Sequence, residues 1–140
     1  IGLLLLLLLT ARGMLPPAGR AQRSVAPPPE PLPEGVTVLR DLVYARAPEK
    51  ELVLDLYLPA AGRAPLPLVI YVHGGAWGGG SKENPPAARL LRQGYAFASV
   101  GYRLAPVKWD VPPAPLGRAV FPAQIHDCKA AVRWLRAHAT

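Results

Sequence analysis

The sequence contains almost no cysteine: Cys128 is the single one among 140 residues. One thiol cannot form an intrachain disulfide. The His, Cys, Asp and Glu residues show no spacing typical of metal ligands. The P-loop and the dinucleotide fingerprint are also absent, although residues 74–82 contain several glycines and a lysine. We therefore expect neither a metal nor a cofactor.

Acidic residues are scarce, with 9 Asp and Glu against 16 Lys and Arg, and the formal net charge is +7. A nucleic-acid interface normally gathers its basic residues on one face or along one helix. The arginines of this chain are instead scattered along its length, so we expect no nucleic-acid partner. Apolar residues make up 51% of the chain, which is enough for one domain with a sizeable core.

No apolar run is long enough to cross a bilayer, which takes about 20 residues. Residues 1–9, IGLLLLLLL, instead resemble the apolar core of a secretory signal, without the Met and basic residues that normally precede it. We predict a partial signal peptide over residues 1–21, cleaved after Gly13 or Ala21, and a secreted or periplasmic protein. If Met14 is the true start, the product is cytoplasmic.

Residues 22–35 form a predicted linker, because Ser24 to Gly35 is rich in proline and favours extended polyproline II. A spacer is the simplest interpretation, and a ligand for a proline-recognition domain is the alternative. The predicted folded domain covers residues 36–140.

Two strands are predicted at the start of this domain. Val36 to Tyr44 alternates in part, and Glu51 to Leu58 alternates clearly, with a hairpin turn over Ala45 to Lys50. Leucines occupy one face of the second strand, whereas Asp55 and Tyr57 fall on the other. This pattern predicts an antiparallel strand with one wetter face.

The stretch Pro67 to Ser81, PLVIYVHGGAWGGGS, begins with the apolar run Leu68–Val72. Such a run predicts a strand buried on both faces. Glycines directly after it allow unusual backbone conformations and let a ligand approach the main chain.

A helix is predicted from Pro86 to Gln93, with Asn84 as N-cap, Pro85 at the first helical position and Gly94 after its end. Tyr95 to Tyr102 then predicts a buried strand. Strand, helix and strand form a βαβ unit with parallel pairing.

A proline-rich loop, Ala105 to Pro122, leads to a predicted last helix, Ala123 to Ala139. Helical spacing predicts its buried stripe and, opposite it, a solvated basic face. The stripe consists of Ile125, Cys128, Val132, Leu135 and Ala139, and the basic face of Lys129, Arg133 and Arg136.

Four motifs in order resemble one family: LDLYLP from Leu54, HGGAW from His73, GYRLAP from Gly101, and FPAQIHDCKAAVRWL from Phe121. They resemble the α/β-hydrolases of the hormone-sensitive-lipase-like and feruloyl- or acetyl-esterase-like (BD-FAE-like) type. The resemblance implies an α/β fold: an antiparallel β-hairpin followed by the βαβα of a mostly parallel sheet, as the incomplete N-terminal portion of that domain.

The resemblance also implies roles for residues of the HGGAW loop. In lipases and esterases, an HGGG-type loop provides part of the oxyanion hole. Here the N–H groups of Gly75 and Ala76 would bind the oxyanion, Gly74 would supply the turn and His73 would shape the loop. Trp77 would line the acyl side or pack beneath the loop. Elsewhere, Asp127 and Arg103 would form a structural ion pair that ties helix to strand.

No nucleophile elbow of the G-x-S-x-G type occurs in the chain, whose serines are Ser24, Ser81 and Ser99. His126 and His138 precede the expected position of a catalytic base and are interpreted as surface or structural residues. The resemblance implies a serine hydrolase of small-molecule carboxylic esters whose nucleophile, acid and base lie outside this chain. The alternatives are an amidase, peptidase or arylformamidase of the same fold, or a non-catalytic binding or scaffold protein.

Overall fold

A mixed four-stranded sheet lies at the centre of the computed structural model, which describes residues 30–60, 65–105 and 121–139. The predicted signal peptide, most of the linker and most of the proline-rich loop lie outside these ranges. The sheet order is β1-β2-β4-β3. The elements are β1 (Thr37–Ala47), β2 (Lys50–Leu58), β3 (Leu68–Val72), α1 (Ala88–Arg92), β4 (Ala96–Val100) and α2 (Ala123–Ala137).

Strand pairing confirms both supersecondary units predicted from the sequence. β1 and β2 form an antiparallel hairpin, and β3 and β4 pair in parallel with α1 between them in the chain. β2 and β4 pair antiparallel, which joins the two units into one sheet. The hairpin turn is tighter than expected, because only Pro48 and Glu49 separate the paired residues Ala47 and Lys50.

Both faces of β2 are covered, so the prediction of one wetter face was wrong. Leu52 and Leu54 pack with Ala131 and Leu135 of α2 in one core cluster. Tyr57, on the opposite face, packs with residues of α1 and β4 in a second cluster. Asp55 shares that face with Tyr57 and is fully buried. The sequence of β2 therefore does alternate between two faces. The polar position on the second face is a buried carboxylate and not a side chain in contact with solvent.

β3 is more exposed than its apolar sequence predicts. Leu68 is 39% exposed and Val72 is 40% exposed. β3 pairs with β4 on one side and is the last strand of the described sheet on the other. A strand at that position lacks a neighbour on one edge, so the prediction of burial on both faces is not met in the described part of the chain.

Helix α1 begins later than predicted, because its N-cap is Ala87 and not Asn84. Asn84 has a φ of 47°, in the left-handed region. The helix ends as expected: Gly94 has a φ of 82°, and the N–H groups of Gly94 and Tyr95 donate to the carbonyls of Leu91 and Leu90. This arrangement is a glycine C-terminal cap.

Helix α2 confirms the predicted element but not its predicted buried stripe. The predicted basic face is exposed. Leu135 is buried as predicted. Ile125, Cys128 and Val132 are only half-buried and Ala139 is exposed, because the buried positions before Leu135 lie one residue earlier in the chain than predicted. The buried positions are Gln124, Asp127, Ala131 and Leu135. Two polar residues therefore take places that a purely apolar stripe would assign to neighbouring residues.

The predicted ion pair between Arg103 and Asp127 explains part of this shift. Arg103 lies just after β4, and its Nη2 is 2.7 Å from Asp127 Oδ1 while its Nε is 2.9 Å from Oδ2. The backbone N–H of Arg103 also donates to Oδ2 at 3.0 Å. Such a bidentate pair fixes both distance and orientation. It ties α2 to the end of β4.

Among the described residues, no helix is long and apolar enough to cross a membrane.

We predict that Asp127→Ala lowers the free energy of unfolding by about 3 kcal/mol, at the lower end for a broken buried pair, because the Arg103 guanidinium loses its bidentate partner and keeps only the Glu49 contact at 3.4 Å. Urea unfolding followed by circular dichroism measures this change. Glu51→Ala is the control, since it removes the exposed Arg46–Glu51 pair and is expected to cost less than about 1 kcal/mol. Equal losses in the two variants would contradict the structural role of the Arg103–Asp127 pair.

Candidate active site

The candidate site is the glycine loop, which we define as His73–Gly80, directly after the C-terminal end of β3. Its backbone is unusual, because Gly75, Ala76 and Trp77 have φ values of 121°, 50° and 63°. Non-glycine residues seldom adopt positive φ, and two in succession store conformational strain. Strain of this kind points towards a functional constraint on the loop.

The glycine loop folds back on itself at Gly75. The Gly75 carbonyl accepts hydrogen bonds from the N–H groups of Gly78 at 3.0 Å and Gly79 at 2.9 Å. A Cβ at Gly75 would lie 2.3 Å from the Gly79 carbonyl oxygen, whereas a Cβ at Gly74 would meet nothing within 4 Å. The turn assigned to Gly74 from the family resemblance is therefore made by Gly75.

His73 is buried at the base of the loop, and Tyr102 holds it there. The Tyr102 hydroxyl donates to the His73 carbonyl at 2.8 Å, and the two rings stack with centroids 4.2 Å apart. His73 Nδ1 lies 2.9 Å from the Gly74 carbonyl oxygen. A carbonyl can only accept, so this contact assigns the proton to Nδ1. Gly80 also lies close to the His73 ring, because a Cβ added at Gly80 would be 2.4 Å from Nδ1.

Trp77 closes the outer part of the loop against the same tyrosine. Its ring meets Tyr102 edge to face, with centroids 5.3 Å apart, and its carbonyl accepts the Ala105 N–H at 2.8 Å. The side chain remains 36% exposed. Trp77 therefore packs against the segment that follows β4 and still presents part of its ring to solvent.

The N–H groups of Gly75 and Ala76 donate no hydrogen bond within the described residues. Both residues are exposed. Backbone donors that are fixed in place and left unpaired can bind an anionic oxygen without first reorganising. This arrangement can stabilise negative charge on a ligand.

An ion cluster centred on the buried side chains of Asp55 and Lys82 lies where the chain leaves the glycine loop. Lys82 Nζ is 2.8 Å from Asp55 Oδ1, 3.0 Å from Asp41 Oδ1 and 2.9 Å from Glu83 Oε1. Arg40 adds a contact of 3.2 Å to Asp55 Oδ2. The Asp41 N–H donates to Asp55 Oδ1 at 3.0 Å. We call these five residues the Asp55 cluster.

The environment of Lys82 keeps it charged. Burial lowers the pKa of its ammonium, but the hydrogen bonds that the ammonium donates to Asp55, Glu83 and Asp41 outweigh burial and raise that pKa well above its ordinary value. The Lys82 carbonyl also accepts the Ser99 hydroxyl of β4 at 2.8 Å. Both the side chain and the backbone of Lys82 are therefore bound to the sheet.

Sequence reasoning missed Tyr102, Asp55, Gly80 and Lys82. Asp55 was visible as a carboxylate within a run of leucines, and Lys82 as the lysine that ends the glycine-rich stretch. Asp55 was predicted to lie on the wetter face of its strand, and no role was predicted for Lys82. No group of three or more His, Cys, Asp and Glu side chains suited to a metal occurs in the described ranges.

The other serines and histidines of the described ranges lie outside the glycine loop. Ser99 is fully buried and Ser81 Oγ accepts the Glu83 N–H at 3.2 Å. His138 stacks on Trp134 with centroids 4.1 Å apart, and His126 is exposed on α2.

Curated relatives of the chain include two classes of hydrolase. The chain is 35% identical over 116 residues to carboxylesterase NlhH of Mycobacterium tuberculosis, covering 81% of this chain and 32% of the relative. It is 40% identical over 70 residues to kynurenine formamidase of Danio rerio, covering 49% and 23%. The chain thus spans about a third or less of the length of these relatives.

Solved structures show the same likeness. Esterase B of Lactobacillus rhamnosis is 34% identical and superposes with a TM-score of 0.60, covering 78% of this chain and 33% of the esterase. The sheet and helices described above therefore match the N-terminal part of an α/β-hydrolase.

We predict that Gly75→Ala disrupts the glycine loop, because the added Cβ would overlap the Gly79 carbonyl and φ is positive. The amide resonances of Gly78 and Gly79, both bonded to Gly75, should shift in a ¹⁵N–¹H spectrum. Gly74→Ala is the matched control, since its Cβ meets open space, and should leave both resonances in place. Similar spectra for the two variants would contradict the described loop geometry.

The phenol of Tyr102 makes stability pH-dependent. Burial is the main cause that raises its pKa above the ordinary 10.0, and the charges of Cys128 and Tyr71 add smaller contributions. A folded-state pKa above the unfolded value means that this contribution is fully present below pH 10.0 and is lost as pH rises through the folded pKa.

We therefore predict that Tyr102→Phe reduces the alkaline loss of stability. Urea unfolding from pH 8 to 11 should show a shallower decline for the variant than for the wild type. Its lost hydrogen bond should cost about 1 kcal/mol at the lower end. Parallel curves would show that Tyr102 ionises equally in both states.

A family model matches residues 54–140, which is more than half of the chain. The match includes β2 from residue 54 onwards, β3, the glycine loop, β4 and α2. It therefore contains the glycine loop, Tyr102, Asp55 and Lys82. The chain therefore belongs to the BD-FAE family of α/β-hydrolases.

Proposed function

We propose that the protein containing this sequence hydrolyses carboxylic esters by a serine mechanism, and that its glycine loop supplies part of the oxyanion hole. The observation that carries this proposal is that the N–H groups of Gly75 and Ala76, two exposed residues of a strained loop, donate no hydrogen bond within the described part of the chain. Family membership and the carboxylesterase and esterase relatives support it.

The residues of this chain would act only on the developing charge. When a nucleophile attacks an ester carbonyl, the carbonyl oxygen becomes an oxyanion. The Gly75 and Ala76 N–H groups would bind this oxyanion. Removing one such donor costs about 10²–10³ in kcat in a well-studied protease. His73 would keep the loop in shape, because its Nδ1–H already donates to Gly74 and its ring stacks on Tyr102.

The nucleophile, its base and the acid would come from residues beyond this chain. Ser99 is buried and bonded to Lys82, and Ser81 bonds the local backbone. No cofactor is required for hydrolysis through a serine ester. Trp77, whose ring is partly exposed beside the loop, would line the acyl side.

We further propose that the protein is exported. The apolar segment within residues 1–9 and the small residues after it support cleavage of a signal peptide within residues 1–21. N-terminal sequencing of protein recovered from the medium or periplasm tests this. Cytoplasmic protein that begins at Met14 would contradict export.

The esterase proposal is tested with the complete reading frame and with residues 1–140 alone. The complete protein should hydrolyse p-nitrophenyl acetate or butyrate and become labelled by a fluorophosphonate. Residues 1–140 should do neither, because they lack the nucleophile elbow. Labelling of the short chain would show a reactive serine within it, whereas an inactive and unlabelled complete protein would favour a non-catalytic binding or scaffold role.

A formamidase is the second candidate, favoured by the 40% identity to kynurenine formamidase over 70 residues. The same loop could bind the oxyanion formed from an amide. Comparing kcat/KM for a formyl anilide and for the corresponding formyl ester distinguishes the two. A preference for the anilide would move the assignment to amide hydrolysis.

A further inference from the structure

The structure assigns Lys82 as the positioning residue of the glycine loop: by holding the end of the loop against Asp55, it fixes the N–H groups of Gly75 and Ala76. This assignment rests on the proposed function of the loop as an oxyanion hole. It concerns a residue that touches neither substrate nor reacting atoms and acts through the backbone.

Three parts of Lys82 contact the sheet: its ammonium, its carbonyl and its aliphatic stem. Its ammonium contacts the fully buried Asp55 of β2 at 2.8 Å. Its carbonyl accepts the Ser99 hydroxyl of β4 at 2.8 Å. Its stem lies over Gly101, whose added Cβ would meet Lys82 Cδ at 3.5 Å. The chain just after the loop is therefore attached to two neighbouring strands of the sheet.

The two halves of the glycine loop contact each other closely, so the attachment of Lys82 also restrains the half that carries Gly75. Gly80, two residues before Lys82, lies so close to Gly74 that an added Cβ would be 2.3 Å from the Gly74 carbonyl oxygen. Gly79 donates its N–H to the Gly75 carbonyl at 2.9 Å. The returning half of the loop thus rests directly on the half that carries the proposed oxyanion donors.

The buried carboxylate of Asp55 depends on charged and polar partners. Asp55 has no exposure to solvent, so its carboxylate requires partners within the protein. Arg40 and the Asp41 N–H provide some of these from β1, but Lys82 is the cation that comes from the loop side. Replacing Lys82 would therefore free the end of the loop. Replacing Arg40 would remove its contacts to Asp55 at 3.2 Å and to Glu83 at 3.5 Å, but would leave the Lys82 contacts to Asp55 and Ser99 in place.

The experiment compares Lys82→Met with the matched control Arg40→Met in the complete reading frame. We expect Lys82→Met to lower kcat for p-nitrophenyl butyrate by about tenfold or more with KM nearly unchanged, since the oxyanion forms only in the transition state. Binding of a trifluoromethyl ketone, whose adduct with the serine carries an oxyanion, should weaken by the same factor. Arg40→Met should leave both values within about twofold.

Hydrogen exchange of the peptide covering residues 73–82 provides a readout independent of catalysis. The N–H groups of Gly78 and Gly79 are protected by the Gly75 carbonyl, and they should exchange about tenfold faster in Lys82→Met but not in Arg40→Met. If the wild type proves inactive, the proposed function fails, and the exchange rates still decide the positioning role.

If the single variant does not fold, Lys82→Met combined with Asp55→Leu takes its place. The double variant leaves no unpaired buried carboxylate. Faster exchange and lower kcat in this folded double variant would support the assignment. Unchanged exchange and unchanged kcat in a folded Lys82 variant, or equal losses in Arg40→Met, would overturn it.

Discussion

Asp55 places a carboxylate in the middle of β2, between two leucines, with no exposure to solvent. A charge in that position costs several kcal/mol unless it is paired. Its partners come from Arg40 and Asp41 of β1 and from Lys82, after the glycine loop. One buried group therefore specifies how the hairpin, the sheet and the candidate site fit together, while the apolar clusters on either face supply most of the burial.

Buried ion pairs contribute little to net stability compared with apolar replacements of similar size, but they are selective about geometry. The two principal pairs of this fold follow that rule. Arg103–Asp127 fixes α2 to the end of β4 through a bidentate contact. Lys82–Asp55 joins the end of the glycine loop to β2. Each links segments that apolar packing alone could let slide.

The sequence was sufficient to predict the strands, the βαβ unit, the final helix and the loop. Local periodicity and glycine positions carry that information, and four short motifs ordered it into one family. One failure has its physical cause in a polar residue whose partners are remote in sequence. Asp55 was taken as a solvent-facing residue because Lys82 follows it by 27 positions. Asp127 falls outside the predicted stripe of α2 for a different reason: the stripe was predicted from apolar residues alone, although the pair of Asp127 with Arg103 was predicted correctly.

The site was predictable only as far as its motif. HGGAW located the loop, but Tyr102 holds His73 from 29 residues away, and no periodic pattern indicates such a contact. Asn84 resembled a helix cap because capping residues also suit turns, and its positive φ shows the second use. Positive φ at Ala76 and Trp77 likewise depends on the surrounding contacts and not on residue type.

Anchorage at both ends has a consequence for how this loop can change over evolutionary time. His73 is held by Tyr102, and Lys82 is held by β2 and β4. The number of residues between these two points is therefore fixed, because an inserted or deleted residue would shift Gly80 and Gly79 away from the positions on which they rest. Surface loops commonly vary in length among homologues, whereas this one is constrained to diversify by substitution, at the few positions that contact neither anchor.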